Sequence, residues 1–567
     1  MSGIKNILFL VPVHIAYESY ASPPKNARTV SKGGKLFNSL ATDLPLGPLS
    51  ISAFIKKHVN ANVKLIDFNV EVNSLNEFNH HSFREFFEDF LSSWALENET
   101  PDIVGISSLF SPSYQNFMDL GAVSKSVWSS AYVIGGGNIP TNSYRHIYQT
   151  GGFDYFDALC FGEGEKPMLG LLQANDFYEF AEASDSWITA SKIETIFAPK
   201  HDFIFDLDEI PFYDYALCNH GRHGLNPVMT SYASHEDSTG YHIMTSRGCP
   251  FLCTFCASHR VHGRKMRYHS LERVFSDLQC LIDEYSAKTI VFQDDHLMAD
   301  KERVLQILSF VKEKGLTAIF QNGLTLYSLD FPMLEAFKSA GVDQLVLPIE
   351  SGSEKVLKLQ MRKPLKMSIS QRVAEDCRTL GIYTDANILI GLPGETKEDI
   401  QEARLRLRSV PVNWFHVVCA SPVVGSEIHQ IATESGYITG DVLGADYRHA
   451  VINTPDFTAS YIQDMQYVFN LELNFIYNSD LRLNNFTTAQ TGFKNVLSLR
   501  PDHSLAHLCM AYVYLKKGDE SKCSEHLRQG ISLSREGDWA KFFDLMSFRV
   551  PDDMSSIASA FEEKWHD

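Results

Sequence analysis

Long apolar runs are missing from this chain. Nowhere in its 567 residues is there a stretch approaching the roughly 20 unbroken apolar residues that a membrane-spanning helix needs, so no membrane partner is expected. Cysteine is also scarce, at ten residues, which excludes a disulfide-built scaffold and points to a reducing, cytoplasmic setting. Basic residues are outnumbered, 50 Lys+Arg against 69 Asp+Glu, for a formal charge of −19. That balance excludes a general phosphate-binding face, and no nucleic-acid partner is expected. With 44% hydrophobic and 21% charged residues, the chain is neither disordered nor fibrous. The opening run Ile7-Leu8-Phe9-Leu10-Val11 is too short for a signal peptide, has no small-residue cleavage site behind it, and reads as a strand.

What is present is an α/β alternation. Length alone allows roughly three or four domains. Over residues 1–170, β-branched runs at 7–12, 63–67, 103–107, 131–134 and 158–161 alternate with helical stretches such as 46–58. Short buried strands separated by helices predict a doubly wound parallel sheet, with ligands at the strands' carboxyl ends. Residues 171–235 are irregular and read as a connector. Over 236–445 the rhythm restarts, with strands expected at 241–246, 289–293, 317–321, 344–348, 386–390 and 414–418. Six units fall two short of a closed eight-fold barrel, which predicts an open (β/α)6 partial barrel. Over 446–567 the pattern is all helical. Ala506, Ala511, Tyr512, Tyr514, Gly518 and Leu527 fall on tetratricopeptide-like spacing.

The strongest chemical signal is Cys249-Pro250-Phe251-Leu252-Cys253-Thr254-Phe255-Cys256, directly after the first barrel strand. Three thiolates in eight residues can hold an iron–sulfur cluster and leave one iron open to substrate. A zinc site borrowing His242, His259 or His262 is the alternative, although no second knuckle accompanies it. Other conspicuous residues fall just after expected strands: Gln293-Asp294-Asp295-His296, Asn322-Gly323, Glu350-Ser351-Gly352-Ser353 and Gly391-Leu392-Pro393-Gly394-Glu395. That is the carboxyl rim, where βα barrels gather their catalytic groups. A helix cap at Asp294 or Asp295 and a plain turn at Gly394 are the ordinary readings.

On these residues the chain resembles the radical SAM superfamily, and within it the members with a cobalamin-binding-type domain ahead of the barrel. The resemblance covers about residues 4–440. It implies that Cys249, Cys253 and Cys256 hold a [4Fe–4S] cluster whose open iron binds S-adenosylmethionine, which is cleaved reductively to a 5′-deoxyadenosyl radical. It further implies that Phe255 meets the adenine, Asp294 or Asp295 the methionine amino group, Glu350 and Ser351 the ribose or carboxylate, and Gly391 the base. Where the superfamily often has Pro-Gly-Thr after the sixth strand, this chain has Pro422-Val423-Val424-Gly425-Ser426. Cys419, on that strand, is read as core.

The cobalamin motifs are partly present. Ser107-Ser108-Leu109 and Gly135-Gly136 match, which would place Ser107, Leu109, Gly135 and Gly136 against cobalamin. The histidine motif is degraded to Asp67-Phe68-Asn69-Val70-Glu71-Val72, so no imidazole from that position reaches cobalt. Gly162-Glu163-Gly164-Glu165 matches the usual end of this domain. Two outcomes stay open, cobalamin held without that histidine or the fold kept without cobalamin; the first is the working expectation. The activity implied is cobalamin-dependent methyl transfer to an unactivated carbon of a small-molecule or peptide substrate. The alternatives are radical cyclisation or rearrangement, with or without cobalamin, and, from another class, a zinc-stabilised adaptor. A flavodoxin or ferredoxin is the expected electron donor. The C-terminal helices are expected to bind a peptide or protein partner, to cover the barrel opening, or to make a dimer.

Overall fold

Runs such as Ile103–Ser107 and Thr289–Phe292 are flanked by helices on both sides, so their side chains are buried on both faces and the sheets they build are parallel. The computed structural model describes residues 4–23, 29–195, 197–218, 221–223, 240–363, 365–440, 442–443 and 449–566. The strands are β1 Lys5–Val11, β2 Thr29–Lys32, β3 Lys35–Asn38, β4 Ala61–Asp67, β5 Ile103–Ser107, β6 Tyr132–Gly136, β7 Ala158–Cys160 and β8 Trp187–Ile188 in the first half. They continue as β9 Gly240–Ile243, β10 Ser246–Arg247, β11 Arg267–Tyr268, β12 Thr289–Phe292, β13 Thr317–Phe320, β14 Gln344–Glu350, β15 Tyr383–Ile390 and β16 Trp414–Cys419.

The first sheet has the order β4-β1-β5-β6-β7-β8. It is parallel throughout except for β8, which pairs antiparallel with β7. The expected helix over 46–58 is present as Leu46–His58. Two features escaped the sequence reading. A small hairpin, β2–β3, precedes that helix. The edge strand β8 lies inside 171–235, so part of the expected connector belongs to the first sheet. The expected junctions near residues 236 and 446 fall outside the described residues.

All six expected barrel strands form, as two parallel ladders ordered β13-β12-β9 and β14-β15-β16, with β13 lying beside β14. The barrel is open. Its helices start on short polar caps: Ser270, Asp300, Asp330 and a Thr396–Asp399 capping box. Asp300 takes the capping role that Asp294 and Asp295 were candidates for.

An open barrel leaves the last strand with an unpaired backbone edge, an aggregation hazard unless covered. Here the C-terminal helices cover it. Gln466, Asn470 and Asn474 stand four residues apart along Ala459–Leu471 and the turn that follows it. The Asn474 amide exchanges two hydrogen bonds with the backbone of Phe415, at 2.7 and 2.8 Å. Gln466 and Asn470 both donate to the Val417 carbonyl, at 2.7 and 3.0 Å. Side-chain amides thus stand in for a seventh strand. Behind them, buried Glu472 accepts from Arg404 and Arg408 of the barrel, and Asp480 from Arg378. Ser504–Lys517 and Glu520–Leu533 form the helical pair expected from the tetratricopeptide-like spacing. Among the described residues, no helix is long and apolar enough to cross a membrane.

Candidate active site

Gly248 sets up the cysteine loop. Its φ of +97° is open to glycine, and a Cβ there would sit 2.5 Å from the Lys265 carbonyl oxygen. The loop springs from the β10–β11 hairpin, in which Arg247 faces Arg267. The Cys249 N–H donates to the Gly263 carbonyl, while Thr254 N–H donates to Met361 O and Thr254 Oγ1 to Gln360 O. Backbone bonds at both ends therefore fix the curvature of the loop.

Cys249, Cys253 and Cys256 line a cavity of about 410 Å³, together with Phe255, Asp295 and Glu350. Burial pushes the Cys249 thiol up to about 11. Burial also raises the Cys253 thiol, partly opposed by Lys363. Thiols in that state bind iron only with release of their protons. Among the described residues no three His, Cys, Asp or Glu side chains converge on a single-ion position. All three thiols line the same chamber, so a cluster held by them would open onto it. Of the histidines that zinc would have borrowed, His262 is hydrogen-bonded to Glu163 at 2.9 Å and His242 contacts Gln293; His259 lines the chamber.

The two adjacent aspartates separate cleanly. Asp294 is fully buried and accepts from Thr245 N–H, Thr245 Oγ1 and Ser246 Oγ, at 3.1, 2.8 and 2.5 Å. It ties the end of β12 to the end of β9 and lines neither cavity. Asp295 lines both cavities, and its Oδ2 is buried without a hydrogen-bond partner among the described residues. An unsatisfied buried acceptor is costly, and an ammonium group entering the cavity would satisfy it. Alanine in place of Asp294 is expected to lower stability by about 1–3 kcal/mol and to melt the protein earlier. Asp295→Asn is expected to keep the wild-type melting curve while weakening S-adenosylmethionine binding, read by equilibrium dialysis.

Glu350 faces the thiol cavity, held by Lys363 at 2.9 Å, and takes a φ of +67° where the β14–β15 register breaks. Ser351 points elsewhere, accepting from Ser353 N–H at 3.1 Å. Gly391 is also away from both cavities. Its φ is +91°, and a Cβ there would meet Ile462 of the C-terminal helices at 2.8 Å. The neighbouring positions that do line the cavities are Asn387 and Leu389.

Close behind Gly391 sits an unusual carboxyl. Glu395 is buried and accepts from Gly391 and Leu392 N–H groups, at 2.7 and 3.0 Å. Burial, outweighing those hydrogen bonds, raises it from 4.5 to about 7. The native state therefore binds this proton more tightly than the unfolded chain. Stability is full below about 4.5, falls as pH rises, and has lost this contribution above about 7. The difference corresponds to about 3 kcal/mol. Glu395→Gln is expected to melt later than wild type at pH 8 and with it at pH 5, a comparison that unfolding scans at the two pH values make directly.

The second cavity, about 730 Å³, opens over the carboxyl edge of the first sheet. Ser107, Leu109, Gly135 and Gly136 all line it. A Cβ on Gly136 would meet nothing within 4 Å, whereas one on Gly137, at φ +100°, would sit 2.5 Å from the Ser108 carbonyl. Glycine thus leaves space at one position and permits a close turn at the next. The lining is predominantly apolar, with His14, Phe110, Trp187 and Met244 among it. A roomy, apolar, glycine-edged cradle fits a corrin. Burial lowers the pKa of His14.

The sequence reading placed Gln293 and Asn322 on the carboxyl rim without giving them a role and did not name Gln321; the three join into one amide chain beside the two cavities. Gln293 Nε2 donates to Gln321 Oε1 at 2.7 Å, and Asn322 Nδ2 to Gln293 Oε1 at 3.0 Å. Gln293 also contacts His242 Nδ1 at 3.3 Å. Polar side chains at the ends of β9, β12 and β13 were the available signal. A second omission is the role of the Gly162–Glu165 motif. Glu163 accepts from Arg267 at 2.6 and 2.8 Å and lies 3.2 Å from Arg247; Glu165 accepts from Arg247 at 2.7 Å. Burial alone would raise Glu163, but Arg247, with hydrogen bonds from Arg267 and His262, holds its carboxyl well below the usual range. The motif therefore locks the first sheet to the hairpin that carries the cysteine loop.

Comparison with known proteins agrees with this layout. The family description of the B12 binding domain matches residues 39–172, and that of the radical SAM superfamily matches residues 243–407. The cytidylyl-2-hydroxyethylphosphonate methyltransferase of Streptomyces wedmorensis is 25% identical over 469 residues, covering 76% of this chain and 86% of the relative. The hopanoid C-3 methylase of Methylococcus capsulatus is 23% identical over 441 residues, covering 76% and 77%. The solved structure of OxsB, a cobalamin-dependent S-adenosylmethionine radical enzyme, aligns with a TM-score of 0.58 at 13% identity, over 100% of this chain and 84% of that one.

Proposed function

As a radical SAM enzyme with a B12 binding domain ahead of its barrel, this chain, we propose, transfers a methyl group from S-adenosylmethionine, by way of cobalamin, to an unactivated carbon of its substrate. One adjacency carries the reading: the thiol cavity and the cradle over the first sheet share a wall, built of Phe255, Cys256, Ser258, Asp295, Gln321 and Asn322. A site for reductive cleavage and a site for a methyl carrier then open onto one space. The methyltransferase and methylase relatives, each matching three-quarters of the chain, support the choice of methyl transfer over ring closure.

When bound, the [4Fe–4S] cluster and S-adenosylmethionine supply a reductively generated radical, and cobalamin supplies the methyl carrier. The chain's residues do the holding and shielding. Cys249, Cys253 and Cys256 ligate the cluster. Asp295 takes the methionine amino group, Phe255 offers its backbone to the adenine, and Glu350, fixed by Lys363, faces the polar end of the same ligand. Ser107, Leu109, Gly135 and Gly136 take the cobalamin. The Gln293–Gln321–Asn322 amides orient the substrate through neutral donors and acceptors. The apolar cradle keeps water from the reacting carbon. In this assignment residues 1–170, with the edge strand β8, carry cobalamin, the rest of 171–235 connects, 236–445 carry the cluster, and 446–567 close the barrel edge. Electrons come from a flavodoxin or ferredoxin in the cytoplasm.

The test is anaerobic protein, reconstituted with iron, sulfide and hydroxocobalamin, given S-adenosylmethionine, reductant and extracts of candidate substrates. Formation of both S-adenosylhomocysteine and 5′-deoxyadenosine is the expected result. 5′-Deoxyadenosine without S-adenosylhomocysteine would point to radical chemistry without methyl transfer. Zinc in place of iron after anaerobic purification would overturn the reading.

A further inference from the structure

A chain with a formal charge of −19 repels an acidic protein over most of its surface, yet one short stretch beside the cysteine loop is basic. Residues 354–366 hold Lys355, Lys358, Arg362, Lys363 and Lys366 against a single acid, Glu354. The stretch is bonded to the loop itself, through the donations from Thr254 to the Gln360 and Met361 carbonyls. Its two ends meet, because Met367 N–H donates to Glu354 at 2.9 Å. Three of its cations are spent on carboxylates: Lys355 on Asp399, Arg362 on Glu427 and Lys363 on Glu350. Lys358 and Lys366 are exposed and make no ion pair among the described residues. Arg264, likewise exposed and without a carboxylate among the described residues, donates to the Phe251 carbonyl of the cysteine loop. Two leucines stand out beside these cations, Leu252 at 53% exposure and Leu359 at 60%. Exposed apolar groups rimmed by unspent charge of one sign mark a docking surface for a partner of the opposite sign. None of these five side chains lines either cavity, so the surface stays open when both cavities are filled.

We propose that Leu252, Arg264, Lys358, Leu359 and Lys366 form the surface on which an acidic one-electron carrier protein docks to reduce the cluster. The inference rests on the radical reading above and deepens it by assigning the carrier a landing site and a sign of charge. Delivery here is direct, since Leu252 adjoins Cys253 in the chain. The carrier loses one electron and S-adenosylmethionine gains it. The C5′–S bond breaks to methionine and the 5′-deoxyadenosyl radical, and no proton is transferred.

The experiment uses the full-length reconstituted protein, with a flavodoxin and a ferredoxin of net negative charge as probes. Their Kd is measured by calorimetry at low and high salt, and 5′-deoxyadenosine formation is followed with each reduced carrier and, separately, with dithionite. The variant is Lys358→Glu with Lys366→Glu. Its control, Lys35→Glu with Lys494→Glu, makes the same charge change at exposed positions on β3 and on the helix Phe486–Leu499. The expected result is a Kd for at least one carrier raised about 10–100-fold at low salt, a gap that narrows at high salt. Carrier-driven cleavage falls with it, dithionite-driven cleavage stays at the wild-type rate, and the control matches wild type in everything. A variant that binds as wild type does, or a control that weakens equally, overturns the inference and leaves the radical reading standing. So does binding of neither carrier by a wild-type protein that cleaves with dithionite. Loss of dithionite-driven cleavage in the variant also overturns it, because the two lysines then serve the cluster and not a carrier. A wild-type protein that cleaves S-adenosylmethionine with no reductant at all supplied from this set overturns both.

Discussion

Cys253→Ala is expected to abolish reductive cleavage of S-adenosylmethionine while leaving the protein folded. The thiol lies in a loop whose shape is set by backbone bonds at Cys249 and Thr254, not by the sulfur itself. Losing it removes one ligand from a site whose cysteines face a shared chamber. Outer-shell partners of metal sites cost roughly 10–100-fold when removed, and a direct ligand is expected to cost more. Iron content, the visible absorption of the reconstituted protein and 5′-deoxyadenosine formation are predicted to fall together, with circular dichroism unchanged. Cys280, on the helix Leu271–Tyr285 and outside both cavities, is the control. Its alanine variant is expected to match wild type in all of these. Cleavage at the wild-type rate by Cys253→Ala would remove the cluster from its assigned place.

Why the cysteine loop was readable and its surroundings less so follows from the range of the forces involved. Spacing of three thiols within eight residues is local information, as is the run of β-branched residues that made each barrel strand visible. The alternation even predicted an open barrel. Asp294 and Asp295, by contrast, are adjacent and chemically alike. Only the packing of β9 against β12 decides that Asp294 is consumed by Thr245 and Ser246 while Asp295 faces the cavity. Gly391 and Ser351 sit at the right strand ends, yet a turn of the backbone aims them away. The Gln466, Asn470, Asn474 row reads in the sequence as a polar helix face, and its use as a substitute strand depends on an edge contributed about fifty residues earlier in the chain. Glu163 and Glu165 looked like a family marker. Their partners Arg247 and Arg267 lie some eighty to a hundred residues downstream.

That distant pairing carries the second large effect. Arg247, Arg267, Glu163 and Glu165 are all nearly excluded from solvent, with side-chain exposures of 3–6%. Charges buried to this degree survive only as a balanced set, and removing one partner leaves the others uncompensated, at about 3–5 kcal/mol. Glu163→Ala deprives Arg267 of both its carboxylate bonds and leaves Arg247 with Glu165 and the Ser50 hydroxyl. The expected outcome is a marked drop in melting temperature. A local consequence should precede unfolding, because Arg247 and Arg267 are the paired residues of the hairpin from which the cysteine loop springs. Loosening that hairpin frees the cysteine loop and detaches it from the first sheet at the same time. The reconstituted Glu163→Ala protein is therefore expected to lose iron to a chelator faster than wild type at temperatures well below its own melting transition. Glu163→Gln, which keeps the shape and one acceptor oxygen, should fall between the two. Equal chelation rates for all three proteins would mean that the ion-pair network only glues the halves together and has no hold on the cluster loop.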